Sequence, residues 1–220
     1  MSTFRFAIMG AGNIAHQFCD AVTLVEDCEV SAIASKDLGR AQKFAEECSV
    51  AHAYDNYEQM LIEEKPDCVY IAVTPNDHFR LTMLCLEHRV PVLCEKAMFT
   101  NSAEAKAVFE KAEKDQTFVM EAMWSRFLPA VNQAKKWAAE GKIGRLEALQ
   151  GRIGFLAPEG ADNRYHSPLL CGGAATDITV YAYEIATWLV NEPVRKTYAA
   201  ANLDQTGVDL TDQVTVKFEH

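Results

Sequence analysis

The sequence lacks any apolar stretch long enough to cross a membrane, since no run of about 18 apolar residues occurs in it. It also lacks clusters of Lys and Arg, and its 220 residues carry a formal net charge of −10. A negative chain without a basic stripe is a poor match for nucleic acid or an anionic membrane surface. These absences predict a protein that binds neither nucleic acid nor a membrane surface.

Paired cysteine motifs are missing as well. Seven cysteines occur, an odd number, and none belongs to a C-x-x-C pair. Most lie within apolar helix or strand patterns, which is typical of small buried side chains. We therefore expect no metal site, no disulfide framework and a reduced, cytoplasmic protein.

The sequence does contain a regular alternation of short apolar strands and amphipathic helices. It runs through residues 1–121, where strands such as "RFAIMG", "DCVYIAV" and "VPVLCE" are separated by helical patterns. Continuous apolar strands between helices predict a parallel sheet covered on both faces. The fold class expected here is therefore α/β, with an N-terminal doubly wound Rossmann domain.

The pattern changes in residues 122–220. A helix over "LPAVNQAKKWAAEGK", a strand over "GRLEALQGRIGF" and a helix over 173–190 are followed by two strands, "VRKTYAAANL" and "DQVTVKFEH". This order predicts a smaller α+β domain with an open, mostly antiparallel sheet. Because the last strand has no closing element after it, we expect this domain to be incomplete and the chain to be a fragment.

The first strand leads directly into "GAGNIA", which has the form G-x-G-x-x-A. Gly10 permits a tight turn, and Gly12 lets the backbone approach a pyrophosphate. Asn13 and Ile14 open the helix, whose free N–H groups face the anion. Between the first strand and the first helix, the motif predicts a dinucleotide site.

The end of the second strand bears on the choice between NAD and NADP. NAD sites usually place an acidic residue there, but this strand is followed by Ser35 and Lys36, with Arg40 one turn further on. A hydroxyl and two cations suit a 2′-phosphate, which favours NADP. Asp37, an acidic residue close to the end of the same strand, leaves NAD as an alternative cofactor.

Two further strands are followed by mostly polar residues at the same edge of the predicted sheet. These residues are Thr74, Pro75, Asn76 and His78 after one strand, and Glu95 and Lys96 after the next. Ligands bind at this edge in open α/β folds, so we expect all six residues to line the cofactor crevice.

The second domain offers the partner for Lys96. Asp177 and Tyr181 are four residues apart on one predicted helix and therefore share a face. Gly172 and Gly173 precede them and would let the helix start approach a ligand closely. Trp124 is expected beside the nicotinamide end of the cofactor.

In combination, "GAGNIA", "EKAMFTNSAEA", "MEAMWSRFLPAV", "GKIGRL" and "GGAATDITVY" resemble the Gfo/Idh/MocA oxidoreductases. The similarity is greatest to the branch that contains dimeric dihydrodiol dehydrogenase. It implies an NAD(P)-dependent dehydrogenase or reductase that acts on a secondary hydroxyl of a sugar, an inositol or a cyclic diol. It also implies a homodimer formed through the C-terminal sheet.

The resemblance assigns roles to individual residues. Tyr181 is implied as the general acid or base, Lys96 as its support and Asp177 as a group that binds substrate or tunes the pair. Arg126 and Arg164 fall where relatives place residues of the substrate cleft. Two positions depart from the family pattern: Ala97 replaces a proline after the lysine, and Thr179 replaces a glycine that faces the nicotinamide.

Two other functions remain open. A non-catalytic dinucleotide sensor would keep "GAGNIA" without needing Lys96, Asp177 and Tyr181 together. A redox-neutral lyase or glycosidase of the same family would use bound NAD only transiently. Net production of reduced cofactor separates both from a dehydrogenase.

Overall fold

The computed structural model describes residues 3–158, 160 and 163–219. The chain divides into two units, Met1–Ala122 and Met123–His220. The last residue of the predicted final strand, at position 220, lies outside the described residues. Among the described residues, no helix is long and apolar enough to cross a membrane.

The first unit is built on a sheet of six strands that all run parallel, in the order β3-β2-β1-β4-β5-β6. The strands are β1 (Phe4–Met9), β2 (Cys28–Ala34), β3 (His52–Tyr54), β4 (Cys68–Ile71), β5 (Val92–Cys94) and β6 (Val119–Glu121). The helices are α1 (Asn13–Val22), α2 (Leu38–Cys48), α3 (Tyr57–Glu64), α4 (Pro75–Glu87) and α5 (Ser102–Asp115). This arrangement confirms the predicted Rossmann domain.

Alternation along the strands produces a core on each face of the sheet. Ala7 and Met9 of β1 pack with Met60 of α3 and Leu81 of α4. Ile8, between them in sequence, faces the opposite side and joins the cluster formed with α1 and α2. Because both faces are covered, the strands are mainly apolar, and the charged residues Arg5 and Glu29 lie near the starts of β1 and β2.

Four of the seven cysteines belong to these cores. Cys19, Cys68, Cys85 and Cys94 are buried, as expected from their apolar surroundings. Burial raises the pKa of the Cys19 and Cys68 thiols to about 12, which makes them poor nucleophiles.

The second unit contains helices α6 (Pro129–Ala139) and α7 (Val180–Val190). A 3-10 turn, Trp124–Phe127, precedes α6, and a π turn, Ala175–Thr179, leads into α7. Strands β7 (Val194–Leu203) and β8 (Asp209–Phe218) form an antiparallel pair. The α+β character and the antiparallel sheet agree with the prediction.

One predicted strand is wrong. Residues 144–155 alternate roughly between apolar and polar side chains, yet the structure assigns them neither helix nor strand. A strand needs a neighbour to pair its backbone groups, and in the described part of this unit β7 and β8 pair only with each other. The segment instead passes α7, where a Cβ placed on Gly151 would lie 3.6 Å from the Cβ of Ala182.

The core of the first unit can be tested with Ile71→Ala. Ile71 is 0% exposed and lies on β4 between β1 and β5, so a cavity there should lower the free energy of unfolding by about 2–5 kcal/mol. The matched control is Ile62→Ala on α3, where the side chain is 55% exposed. Urea unfolding followed by circular dichroism should show a lower midpoint for the first variant alone, and equal midpoints would contradict this core.

Candidate functional site

The glycine turn after β1 is forced by a close backbone contact. Gly10 has φ +108°, and a Cβ placed on it would lie 2.7 Å from the carbonyl oxygen of Ala72. Ala72 follows β4, and its N–H donates to the Met9 carbonyl oxygen at 2.8 Å. Only glycine fits at position 10, because both the φ angle and the available space exclude a side chain.

The amino terminus of α1 is open for a ligand. Gly12 is the N-cap residue, and a Cβ placed on it would meet only the Ala72 carbonyl oxygen, at 3.9 Å. Among the described residues, no side chain caps this helix. The first-turn N–H groups, including those of Asn13 and Ile14, therefore remain for an anion, so the turn fits the pyrophosphate of a dinucleotide.

The residues after β2 are arranged around the same turn. The Nη2 of Arg40 donates to the Ala11 carbonyl oxygen at 3.2 Å, which places this guanidinium beside the glycine turn. The carboxylate of Asp37 accepts from the Arg40 backbone N–H at 3.0 Å and thereby caps α2. Ser35 is buried, and its hydroxyl oxygen accepts from the Asp37 N–H at 3.4 Å.

Lys36 forms an ion pair with Asp77 of α4, so its charge is partly neutralised. Burial alone would raise the pKa of Asp77, but the hydrogen bond and charge of Lys36, together with Arg80, lower it. Arg40 is thus the cation of this group that lies against the glycine turn.

The residues after β4 form the start of α4. Thr74 is the N-cap residue without a side-chain cap bond, Pro75 is the first helical residue and Asn76 is exposed. His78 differs because it is 0% exposed. One ring nitrogen, Nε2, lies 3.0 Å from the Val73 carbonyl oxygen.

His78 also reaches the segment that follows Lys96. Its Nδ1 lies 3.0 Å from the Ala97 carbonyl oxygen and 3.2 Å from that of Met98. Burial lowers the pKa of the ring. The contacts give His78 a structural role, since the ring ties the backbone beside Lys96 to the end of β4.

Glu95 and Lys96 follow β5 at the same edge of the sheet. Glu95 is 8% exposed, and the hydroxyl of Tyr70 donates to its Oε1 at 2.5 Å. Its other oxygen accepts from the Lys96 backbone N–H at 3.2 Å. The Lys96–Ala97 peptide bond is cis although Ala97 replaces proline. Glu95 is therefore a buried acid that fixes the strand end from which Lys96 projects.

In the second unit the structure brings Trp124 and Tyr181 together. The indole Nε1 of Trp124 donates to the hydroxyl oxygen of Tyr181 at 2.9 Å, and the two rings meet edge to face. Tyr181 lies in the first turn of α7, and Trp124 begins the 3-10 turn before α6. The pairing spans 57 residues and could not be inferred from sequence spacing.

Arg126 is held by a residue that the sequence analysis missed. Glu184 of α7 is 7% exposed, and its carboxylate accepts from Arg126 Nε and from the Ser125 hydroxyl. The Arg126 guanidinium also lies 4.6 Å from the centre of the Trp188 ring. A lone carboxylate within the apolar stretch "VYAYEIATW" was the signal that could have identified Glu184.

Asp177 lies in the π turn that precedes α7, and its carboxylate is 3.3 Å from the Nη2 of Arg164. The Arg164 guanidinium lies 4.0 Å from the centre of the Tyr165 ring. The structure therefore pairs Asp177, four residues before Tyr181 in the sequence, with Arg164.

The glycines before the π turn serve the chain's own packing. A Cβ on Gly172 would clash with the Arg164 carbonyl oxygen, and one on Gly173 would clash with a carboxylate oxygen of Asp209. We expected these glycines to let the helix start approach a ligand. In the structure, Arg164 and Asp209 of the chain itself occupy the space beside them.

Thr179 is directed toward β8. Its hydroxyl donates to the carboxylate of Asp212 at 2.7 Å. Burial raises the pKa of Asp212, and the neighbouring charge of Asp209 adds to that effect. Thr179, which replaces a glycine in the family pattern, thus joins the π turn to the sheet.

The fold and the glycine turn define a Rossmann protein of the dinucleotide-binding class. A family model described as an oxidoreductase family with an NAD-binding Rossmann fold matches residues 4–123. A second, the GFO/IDH/MocA C-terminal domain, matches residues 131–220. The chain belongs to the Gfo/Idh/MocA oxidoreductase family, which confirms the resemblance seen in its motifs.

Curated relatives include the trans-1,2-dihydrobenzene-1,2-diol dehydrogenase of Mus musculus, 31% identical over 220 residues that cover 97% of this chain and 65% of the relative. The Danio rerio enzyme of the same name is 31% identical and covers 97% of this chain and 64% of its own length. The chain thus spans slightly less than two thirds of these relatives.

Solved structures show the same fold. One is a mutant of KijD10, a 3-ketoreductase from Actinomadura kijaniata, in complex with TDP-benzene and NADP, with a TM-score of 0.90, 22% identity and coverage of 99% of this chain and 67% of that one. Another is scyllo-inositol dehydrogenase from Lactobacillus casei with NAD(H) and scyllo-inositol, with a TM-score of 0.79, 14% identity and coverage of 99% and 67%.

The buried acid at the end of β5 gives stability a defined pH dependence. Burial raises the pKa of Glu95, so above about pH 4.3, where the unfolded residue ionises, the folded chain binds more protons than the unfolded chain. The contribution of Glu95 to the free energy of unfolding therefore falls as the pH rises toward neutral. Glu95→Gln should consequently become more stable relative to the parent over this range.

Urea unfolding of both proteins at a series of pH values measures this difference. Tyr70→Phe provides a second test, because loss of the donor to Glu95 should cost more when the carboxyl is charged. A constant difference between Glu95→Gln and the parent across the range would contradict the buried acid.

Proposed function

We propose that this chain carries the cofactor site and the proton-transfer groups of an NAD(P)-dependent oxidoreductase. Its reaction would transfer a hydride between nicotinamide and a secondary hydroxyl of a sugar, an inositol or a cyclic diol. The observation that carries the proposal is the uncapped amino terminus of α1 behind Gly12, in a member of this oxidoreductase family. The diol class is supported by the curated relatives, which are named dihydrodiol dehydrogenases.

The cofactor site is proposed to follow the carboxyl edge of the sheet. The N–H groups of Gly12, Asn13 and Ile14 would bind the pyrophosphate, and Gly10 provides the turn that presents them. The remaining proposed contacts lie after β4 and β5 and in the second unit, at Thr74, Pro75, Asn76, Glu95, Lys96 and Trp124. His78 would act through the backbone beside Lys96, because its ring is buried.

NADP is the proposed preferred cofactor, with NAD as the alternative. The position of Arg40 beside the glycine turn supports a contact with a 2′-phosphate. Asp37 is the acidic residue that left NAD as an alternative, and its carboxylate caps α2. Ser35 and Lys36 complete the polar group, although Lys36 shares its charge with Asp77.

A bound nicotinamide cofactor supplies the hydride acceptor or donor. We assign Tyr181 the transfer of the substrate hydroxyl proton at its phenolic oxygen, and Lys96 the positive charge that favours the ionised form. Asp177 and Arg164, which pair with each other, are proposed to orient the substrate. Arg126 is bound by Glu184, so its effect on substrate would be indirect.

The remaining proposals follow the family resemblance. The substrate is a small polyol, sugar or cyclic diol, and the protein is proposed to act in the cytoplasm. The dimer is proposed to form through the sheet of the second unit, where every residue of β7 is exposed.

The reaction can be tested by following reduced nicotinamide on mixing the protein with NADP⁺ and a trans-cyclic diol, an inositol or an aldose. One reduced cofactor should appear for each hydroxyl oxidised. Tyr181→Phe should lower kcat/KM by about 10²–10⁴-fold without changing cofactor affinity, because only the proton-transfer group is lost. The matched control is Tyr183→Phe, on the same helix and 42% exposed.

Two results would contradict the dehydrogenase. Substrate loss without net reduced cofactor would indicate the redox-neutral lyase or glycosidase. Cofactor binding without any turnover of the three substrate classes would favour the sensor.

Cofactor choice is tested separately with Arg40→Ala. Loss of a charged hydrogen bond to the 2′-phosphate should weaken NADPH binding about 10- to 100-fold and leave NADH binding unchanged. Lys43→Ala, which removes a cation from the same helix, should leave both affinities unchanged. Fluorescence titration measures the four affinities, and equal weakening of NADPH and NADH by Arg40→Ala would overturn the NADP assignment.

A further inference from the structure

Helix α7 holds the 3-10 turn Trp124–Phe127 at two points on one face. Tyr181 accepts from the Trp124 indole at 2.9 Å. Glu184, three residues further along the helix, accepts from the Ser125 hydroxyl at 3.0 Å and from Arg126. Residues three apart on a helix are neighbours, so both attachments come from the same side of α7.

We propose that Glu184 is a positioning residue that keeps the indole N–H of Trp124 on the hydroxyl oxygen of Tyr181. The proposal rests on the proposed function, in which Tyr181 transfers the substrate proton. Trp124 thereby acquires a second task beyond any contact with cofactor: it orients the reacting hydroxyl and supports its oxygen when that oxygen is negative.

The chemistry of the two side chains fixes the direction of the bond. An indole N–H can only donate, so the hydroxyl of Tyr181 must accept from Trp124. The tyrosine proton must then point away from the indole, where another acceptor can take it. A donor held on the oxygen also favours the ionised form of the tyrosine, which is the form that removes a proton.

Glu184 is suited to hold the turn because it is buried and bonded to both residues that follow Trp124. Glu184 is 7% exposed and Ser125 is 4% exposed, so neither can exchange its partner for water at low cost. The Trp188 ring lies against the Arg126 guanidinium, 4.6 Å from the ring centre, and gives it a further contact on α7. With Ser125 and Arg126 fixed, the backbone of Trp124 is fixed as well.

A purely structural ion pair is the competing explanation. Removal of Glu184 would then lower stability, but it would not change the environment of the Trp124 N–H. The two explanations therefore differ in a spectroscopic signal that reports the Trp124–Tyr181 bond directly.

The test is the indole region of the ¹H–¹⁵N spectrum of the 220-residue chain. The sequence has three tryptophans, so three indole signals are expected, and Trp124→Phe assigns one of them. Tyr181→Phe should shift the Trp124 signal and raise its hydrogen-exchange rate about tenfold, the ratio that corresponds to one hydrogen bond. Glu184→Gln should change the same signal in the same direction.

Two controls accompany the spectrum. Glu140→Gln makes the same chemical change at an exposed ion pair with Lys142 and should leave the Trp124 signal in place. The signal of Trp137, which is 47% exposed, should stay unchanged in the Tyr181, Glu184 and Ser125 variants. If Glu184→Gln does not fold, Ser125→Ala removes one of the two attachments and should produce a smaller change of the same kind.

A Trp124 signal that is unchanged in Glu184→Gln, or in Ser125→Ala where that variant replaces it, would overturn the proposal. A signal that does not respond to Tyr181→Phe would overturn it as well. These readings need no cofactor or substrate, so they remain decisive if the dehydrogenase assay fails.

Where that assay succeeds, Glu184→Gln should lower kcat about tenfold with little change in KM, because the proton-transfer group is misplaced while substrate contacts remain. A rise in KM at unchanged kcat would contradict a positioning role.

Discussion

The close approach of Gly10 to the Ala72 carbonyl oxygen is the contact on which the first unit depends. Parallel pairing of β1 and β4 leaves 2.7 Å between that oxygen and any Cβ at position 10, so the turn must be made by glycine. This turn sends the chain into α1 at the carboxyl edge of the sheet. The same edge receives the residues that follow β4 and β5, because all six strands of this sheet run in one direction. One backbone contact therefore places the amino terminus of α1 at the edge of the sheet where Glu95 and Lys96 lie.

In each unit a buried polar side chain contacts a segment for which we propose a function. In the first unit, the His78 ring contacts the carbonyl oxygens beside Lys96. In the second, Glu184 binds the residues that follow Trp124. Buried polar groups cost free energy unless they are hydrogen-bonded, so each also specifies one geometry for the segment it contacts. In the proposed function, His78 and Glu184 therefore position the segments that carry Lys96 and Trp124 without contacting the substrate themselves.

The Rossmann domain was predictable because its signals are local: apolar strands, amphipathic helices and the glycine motif lie next to one another in sequence. The strand over 144–155 was predicted wrongly because alternation reports a half-buried surface and not the presence of a pairing strand. The ion pair between Arg126 and Glu184 spans 58 residues, so no local sequence pattern could have predicted that these two residues are partners. The glycines at 172 and 173 show the same limit, since sequence reveals the need for space but not which group occupies it.

Titration of the isotope-labelled 220-residue chain with NADPH tests the account most directly. If the amino terminus of α1 binds the pyrophosphate, the backbone amide signals of Gly12, Asn13 and Ile14 will shift together and saturate. Their N–H groups will also become protected from hydrogen exchange, since each gains an acceptor. Saturable binding that leaves these three amides unchanged, or no binding at all, would contradict the placement of the cofactor on which the proposed function is built.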